Sequence, residues 1–212
     1  MRKVISFCVI SFLVFSCGNK SNSETAEEIK ADSLQKAKAD TILSVKKISE
    51  FVANPGPVGV YDVPEMLTLC VRDSAKMENM PETFSKAYAT LDEELENLKI
   101  KSNGSPGSIY FSSDPKNVVF ECVYPIEKMP EIQPKKSVVV VLEACYMYMY
   151  NYYGPYAQLS KAYEDIKINL KNNNLVQNGP MREFYITNPN SEKDSTKWLT
   201  RILTPVEKNR KH

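Results

Sequence analysis

Four tyrosines at every second position, Tyr146, Tyr148, Tyr150 and Tyr152, are the densest chemical feature of the chain. They alternate with Cys145, Met147, Met149 and Asn151, so a strand sends the two sets to opposite faces. The softer Cys/Met side is expected to pack on a helix, which turns the tyrosines toward a cleft. A row of tyrosines offers flat apolar surface plus hydroxyls and suits a planar or cationic guest. The competing reading is that they cover core or a partner surface. Three charged residues join them as candidates: Glu121, Glu183 and Arg201. A carboxylate in a dry pocket attracts a cation or acts as a general base. An arginine stays charged and does neither. Arg201 reads either as a surface or sheet-edge charge paired with Glu121 or Glu183, or as the anchor of a carboxylate- or phosphate-bearing ligand.

Cysteine and histidine chemistry is sparse. Cys70, Cys122 and Cys145 are an odd set that cannot all pair within one chain. Buried apolar thiols are the expectation, with a Cys70–Cys122 bridge the alternative in an oxidising compartment. The single histidine, His212, stands at the C-terminus, so no histidine-ligated metal or haem site is expected, and no cofactor. No catalytic set is assigned.

These residues sit in a sequence that says nearly the same thing twice. Phe84-Ser85-Lys86-Ala87-Tyr88 answers to Leu159-Ser160-Lys161-Ala162-Tyr163, Ile109-Tyr110-Phe111 to Phe184-Tyr185-Ile186, and Pro125-Ile126-Glu127-Lys128 to Pro205-Val206-Glu207-Lys208. Tyr88 to Tyr163 and Tyr110 to Tyr185 are both steps of 75 residues. A duplicated unit creates an interface between two similar halves, a favoured place for a ligand pocket. Each unit carries one helix stripe: Phe84, Ala87, Tyr88, Leu91, Leu95 and Leu98 in the first, Leu159, Ala162, Tyr163, Ile166 and Leu170 in the second. Leu67–Val71 precedes the first helix as a strand, and Val138–Tyr153 precedes the second. Two short strands follow each helix, Ser108–Ser112 with Val118–Tyr124 and Glu183–Thr187 with Trp198–Leu203. The fold class is therefore α+β: duplicated β-α-β-β units, about 58–128 and 136–208, on an antiparallel sheet whose other face is left free.

The second unit resembles the GyrI-like, or AraC-type effector-binding, domain. The resemblance lies in Gly154-Pro155-Tyr156 at the strand-to-helix turn, Glu183-Phe184-Tyr185 followed by Asn188-Pro189, and Lys197-Trp198-Leu199-Thr200 running to Pro205-Val206. Phe120-Glu121-Cys122-Val123-Tyr124-Pro125-Ile126 resembles the close of that family's first half. The resemblance implies two units about a pseudo-twofold axis with a small-molecule cleft between them. It implies a guest that is apolar and often cationic, with hydrolysis of reactive compounds in some members. It places Glu183, Tyr185 and Trp198 at the pocket. Many members also carry a glutamate in the last strand at the pocket floor, where this chain has Arg201.

The front of the chain reads as an address. Met1-Arg2-Lys3 and the 12-residue apolar run Val4–Phe15 fit a signal peptide and are too short to span a bilayer, which needs roughly 17–25 residues. Val14-Phe15-Ser16-Cys17 resembles a lipobox, so residues 1–16 are expected to be a lipoprotein leader and Cys17 the lipidated residue. Residues 17–53 form a polar tether, and Asn54-Pro55-Gly56-Pro57 is the domain boundary, opening a domain over 54–212. Formal net charge is +1, and loss of Arg2 and Lys3 leaves −1 (1 − 2), so nucleic acid is not an expected partner. The reading is a lipid-anchored, extracytoplasmic protein of the bacterial envelope that holds an aromatic or amphiphilic small molecule. Two rivals are a hydrolase using Glu183 or Glu121 with a tyrosine, and an envelope interaction module with a degenerate cleft.

Overall fold

The computed structural model describes residues 58–209 apart from residue 113. The leader, Cys17, the tether, the Asn54-Pro55-Gly56-Pro57 break and His212 lie outside the described residues. The chain runs β1 (Gly59–Val63), β2 (Met66–Ala75), α1 (Met80–Leu98), β3 (Gly107–Tyr110), β4 (Val118–Pro125), β5 (Val138–Leu142), β6 (Cys145–Tyr153), α2 (Leu159–Asn172), β7 (Leu175–Gln177), β8 (Met181–Tyr185) and β9 (Leu199–Lys208). It is a mixed α+β fold, two helices on a curled antiparallel sheet.

The helices follow from their stripes. In α1 the side chains of Met80, Ala87, Leu91 and Leu98 are buried, with Phe84, Tyr88 and Leu95 packed against them. Pro81 occupies the first turn, where its missing N–H costs nothing, and Lys99 ends the helix in the left-handed conformation at φ 54°. In α2 the buried set is Leu159, Ala162, Ile166 and Leu170, with Tyr163 alongside. Burying each large apolar side chain contributes roughly 1.5–3 kcal/mol, more than either helix gains from propensity.

Strand order across the sheet is β1-β6-β9-β8-β3-β4-β2-β5, with β7 paired to β9. The edge strands are exchanged. β1 precedes β2 but pairs with β6, while β5 precedes β6 but pairs with β2. This corrects the sequence reading of Val138–Tyr153 as one strand. It is two, parted at Glu143-Ala144, because its halves serve neighbours on opposite sides of the sheet. α1 lies over β2 and β4, and α2 over β6 and β7. The central pair β3–β8 therefore lies in the gap between the helices.

The face away from the helices is not free, contrary to expectation. Met66, Cys70, Ile109, Val123, Met147, Met149, Phe184 and Leu203 form their own buried cluster there, closed at its ends by Val63 of β1 and Leu142 of β5. Curling lets the sheet cover its own second face. Both alternating sets of the central strands are consequently covered, so these strands are buried on two sides.

Candidate functional site

The site is built where the two halves meet. β3 and β8 pair with Ser108 opposite Glu183, and both side chains are fully buried on the helix side. The approach is close. A Cβ on Gly107 would lie 2.6 Å from the Glu183 carbonyl oxygen and 2.7 Å from the Phe184 ring, so only glycine lets β3 sit this near β8. Tyr163 of α2 donates a short hydrogen bond to Glu183 Oε1. Tyr185 and Tyr110 reach Oε2 at 3.1 and 3.3 Å. From α1, Tyr88 donates to the Gly107 carbonyl at 2.7 Å and lies 3.2 Å from Ser108 Oγ. Tyr185 also lies 3.2 Å from Ser108 Oγ, which links the two halves.

Among the described residues, every hydrogen-bond partner of the Glu183 carboxylate is thus a neutral hydroxyl. Among the described residues the ion pairs form elsewhere: Arg72–Glu121, Lys76–Glu78, Lys86–Glu82, Lys136–Glu93 and Lys197–Asp194. Burial pushes the pKa of Glu183 above the ordinary carboxylate range, and the hydroxyls of Tyr163, Tyr185 and Tyr110 pull it only part of the way back. Burial, and then the neighbouring carboxylate, likewise hold Tyr163 above its ordinary value. Tyr110 and Tyr185 are held well above theirs, burial again leading. These hydroxyls stay protonated and serve as donors.

Around this floor stands a rim of half-buried rings. Trp198 packs on Tyr156 at 5.1 Å between centroids, and Tyr156 meets Tyr185 edge-on at 5.4 Å. On the α1 side Phe84 lies 6.4 Å from Tyr110 and 6.3 Å from Tyr88. Trp198 is pinned by its indole N–H, which donates to the Glu192 carbonyl at 2.9 Å. A buried carboxylate under several aromatic faces is an arrangement that attracts a desolvated cation.

Residues 57–207 match the family model described as the GyrI-like small molecule binding domain. The chain belongs to the GyrI-like family. Among solved structures, the EcmrR C-terminal domain superposes with TM-score 0.61 at 20% identity, covering 72% of this chain and 98% of that one. SAV2435 bound to tetraphenylphosphonium gives TM-score 0.54 at 13% identity, covering 72% and 94%. A hydrolase encoded by lin2189 from Listeria innocua gives 0.54 at 13%, covering 76% and 97%. No sequence among curated proteins matches the chain.

Against this GyrI-like geometry the expected site residues divide. Glu183, Tyr185 and Trp198 come together in the gap. Arg201 does not, which corrects its assignment to the pocket floor. It is fully buried, but on the face opposite the helices, where its Nε donates to Asn151 Oδ1 at 3.1 Å. Its register explains this: Arg201 shares a face with Leu203 of the far cluster, while Thr200 and Ile202 point toward the helices. Glu121 also faces away and is bound by Arg72 at 3.0 Å, so it pairs with neither Arg201 nor the gap.

The tyrosine row reverses the expected assignment of faces. Tyr148, Tyr150 and Tyr152 pack against α2, and Met147, Met149 and Cys145 join the far cluster. Tyr148 is core, and Tyr146 is 64% exposed at the end of the row. Tyr150 donates to Asp165 at 2.9 Å and Tyr152 to the Pro155 carbonyl at 3.1 Å. These two line an open recess of about 570 Å³ with Lys161, Asp165 and Thr196, to one side of the Glu183 gap. Gly154, at φ 152°, accommodates the Tyr152 ring, which a Cβ there would strike.

Four participants were not among the sequence candidates: Tyr88, Ser108, Tyr110 and Tyr163. Their signal was present, because Tyr88/Tyr163, Tyr110/Tyr185 and Ser108/Glu183 all stand 75 residues apart. Cys70 and Cys122 point to opposite faces of the sheet, which excludes the bridge considered between them. Burial pushes both thiols up to about 12, leaving them inert at neutral pH. Among the described residues no cluster of His, Cys, Asp and Glu could hold a metal ion, and no helix is long and apolar enough to cross a membrane.

Proposed function

We propose that this protein binds a lipophilic aromatic cation in the gap between α1 and α2, with Glu183 as the counter-charge. The carrying observation is a fully buried carboxylate whose hydrogen-bond partners among the described residues are neutral hydroxyls, beneath a half-buried aromatic rim. Ionising such a group without a partner is costly, and a guest cation offsets that cost. The guest need not touch the carboxylate. At roughly 6 Å and an effective dielectric of about 20, the attraction is about 3 kcal/mol, and contact with ring faces adds to it. The tetraphenylphosphonium held by SAV2435 on a similar fold supports the choice of guest.

Two finer points belong to the same reading. The β-α-β-β units are a duplication about a pseudo-twofold axis between β3 and β8, supported by the 75-residue step and by the reciprocal pairings of β1 with β6 and β5 with β2. The protein is anchored in the bacterial envelope through a lipid on Cys17, supported by the leader-like Met1–Ser16. Its partner there is a small molecule rather than nucleic acid.

Hydrolysis is the second reading, favoured by the raised basicity of Glu183 beside three tyrosyl proton donors. It requires turnover of reactive esters or epoxides that disappears in Glu183→Gln. The binding reading is tested by thermal shift with tetraphenylphosphonium and tetraphenylborate, which share a shape and differ in charge. The phosphonium should raise the melting temperature at neutral pH, the borate should not, and Glu183→Gln should lose the response. Equal responses to both ions would contradict it.

A further inference from the structure

We propose that the recess on the outer flank of α2 is a second binding site, which takes a short peptide in extended form with both of its ends charged. It lies apart from the aromatic gap and does not use Glu183. Along α2, Tyr163 turns to Glu183 in the gap. Lys161 and Asp165 stand two residues to either side of Tyr163, roughly 160° around the helix from it, and line the recess instead. The helix itself therefore separates the two sites. The facing wall includes the consecutive β6 residues 150–153. Successive side chains of a strand point to opposite faces, so a wall made of neighbours in a row is the backbone edge of the strand.

That edge is open. β1 pairs with β6 from Cys145 to Met149, while β9 covers the other side as far as Tyr153. Among the described residues no strand lies beside residues 150–153 on the β1 side. The Gly154 N–H donates to the Trp198 carbonyl at 2.9 Å, which sets the alternation: Tyr150 and Tyr152 bond toward β9, and Tyr153 sends its N–H and C=O outward. Continuing the β1 register would place residues 57 and 55 opposite Asn151 and Tyr153. Both are proline and have no N–H to give, so the preceding chain is poorly suited to this edge. A separate extended segment suits it.

The charges set the length and direction of the guest. Lys161 and Asp165 are one helical turn apart, the spacing at which Glu82 and Lys86 of α1 close to 2.7 Å. On α2 the pair stays apart. Lys161 donates to the Gln158 amide oxygen at 3.2 Å, and Asp165 accepts from Tyr150 at 2.9 Å. Both side chains are exposed, so each charge can meet a guest. Asp165 lies beside Tyr150, and Lys161, nearer the turn that joins β6 to α2, lies toward Tyr153. A peptide running parallel to β6 therefore brings its ammonium to Asp165 and its carboxylate to Lys161. The middle residue of a tripeptide then stands abreast of Tyr152, with its carbonyl on the Tyr153 N–H and its side chain on the Tyr152 face of the strand. An apolar middle residue fits that ring. A recess of about 570 Å³ has room for a guest of this size.

The test is a nuclear magnetic resonance titration of the purified full chain with the tripeptide Ala-Leu-Ala. One form has free ends, and the other is acetylated at its N-terminus and amidated at its C-terminus. The free form should give saturable shifts at the Tyr153 amide and along residues 158–165. The blocked form should bind about tenfold more weakly, because two exposed ion pairs each add severalfold in affinity. Lys161→Met combined with Asp165→Asn should erase that difference. Glu183→Gln, or saturating tetraphenylphosphonium, should leave peptide affinity unchanged, so failure of the cation reading would not count against this site. The absence of a saturable shift at Tyr153 overturns the proposal. So does equal affinity of the free and blocked forms in the native chain, a comparison that needs no variant to fold. Displacement of the peptide by tetraphenylphosphonium would put it in the gap and overturn the proposal as well.

Discussion

Glu94 and Glu183 are two glutamates that expose almost nothing, 2% and 1%, yet their pKa values move in opposite directions. Burial raises both. At Glu94 it is outweighed by the Lys136 N–H at 3.2 Å, the Ser137 hydroxyl at 3.0 Å and the Lys135 N–H at 2.9 Å, so that carboxyl falls below its ordinary range. Its partners belong to a loop whose lysines are exposed. At Glu183 three tyrosyl hydroxyls in a drier place do not outweigh burial. Glu94 is a finished structure, a carboxylate that ties the β4–β5 connection to α1. Glu183 retains an unmet electrostatic demand. Burial alone does not set where a carboxyl titrates; its partners decide whether the shift is offset.

The contrast can be broken by exchanging the consequences of mutation. Glu94→Ala leaves two backbone N–H groups and a hydroxyl without their acceptor, so it should cost about 2–4 kcal/mol of stability. Chemical denaturation reads that loss, and phosphonium affinity should stay unchanged in the folded fraction. Glu183→Gln should do the reverse: affinity falls about 30- to 100-fold, or about 2–3 kcal/mol, while stability at neutral pH holds or rises. A Glu183→Gln protein that unfolds but still binds would make the two acids equivalent.

pH sharpens the same contrast. Glu94 is lowered in the folded protein, so its contribution is fully present above its ordinary 4.5 and is lost as pH falls through the folded value. Glu183 is raised, so the folded state holds more protons than the unfolded one just above 4.5, and stability falls as pH climbs through the folded value. Cation affinity should grow across that same climb. Denaturation midpoints from pH 4 to 8 should show the falling limb in the native protein and none in Glu183→Gln. The smallest effect is expected from Tyr163→Phe, which removes one donor to Glu183. It should raise the pH midpoint of cation binding and weaken neutral-pH affinity by about 1 kcal/mol or less.

Much of this fold was readable in the residues. The stripes of Phe84 to Leu98 and Leu159 to Leu170 define both helices because each has a single buried side. The strands were harder. Tyr148 and Met149 are both apolar enough to be buried, and both are, so alternation could not say which set meets a helix. Arg201 carried no mark of its face, because a one-residue change of register exchanges the two sides of β9. The exchanged edge strands β1 and β5 depend on pairing across the whole sheet, which no local pattern encodes. Glu183 was visible through its motif. Its tyrosines were visible only as a constant step of 75 residues, a spacing whose chemical meaning appears once the halves are folded against each other.

The most direct measurement is calorimetric titration of the full chain with tetraphenylphosphonium between pH 5 and 8, in buffer pairs of different ionisation enthalpy. Burial holds Tyr88, Tyr110, Tyr163 and Tyr185 above their ordinary values, as it does Tyr156, so none of them loses a proton in this range. Proton release on binding then reports Glu183. Release should follow the protonated fraction of Glu183, growing as pH falls, and be absent from Glu183→Gln. Binding that releases no proton at any of these pH values, with equal affinity in Glu183→Gln, would show that the buried carboxylate is not the cation's counter-charge.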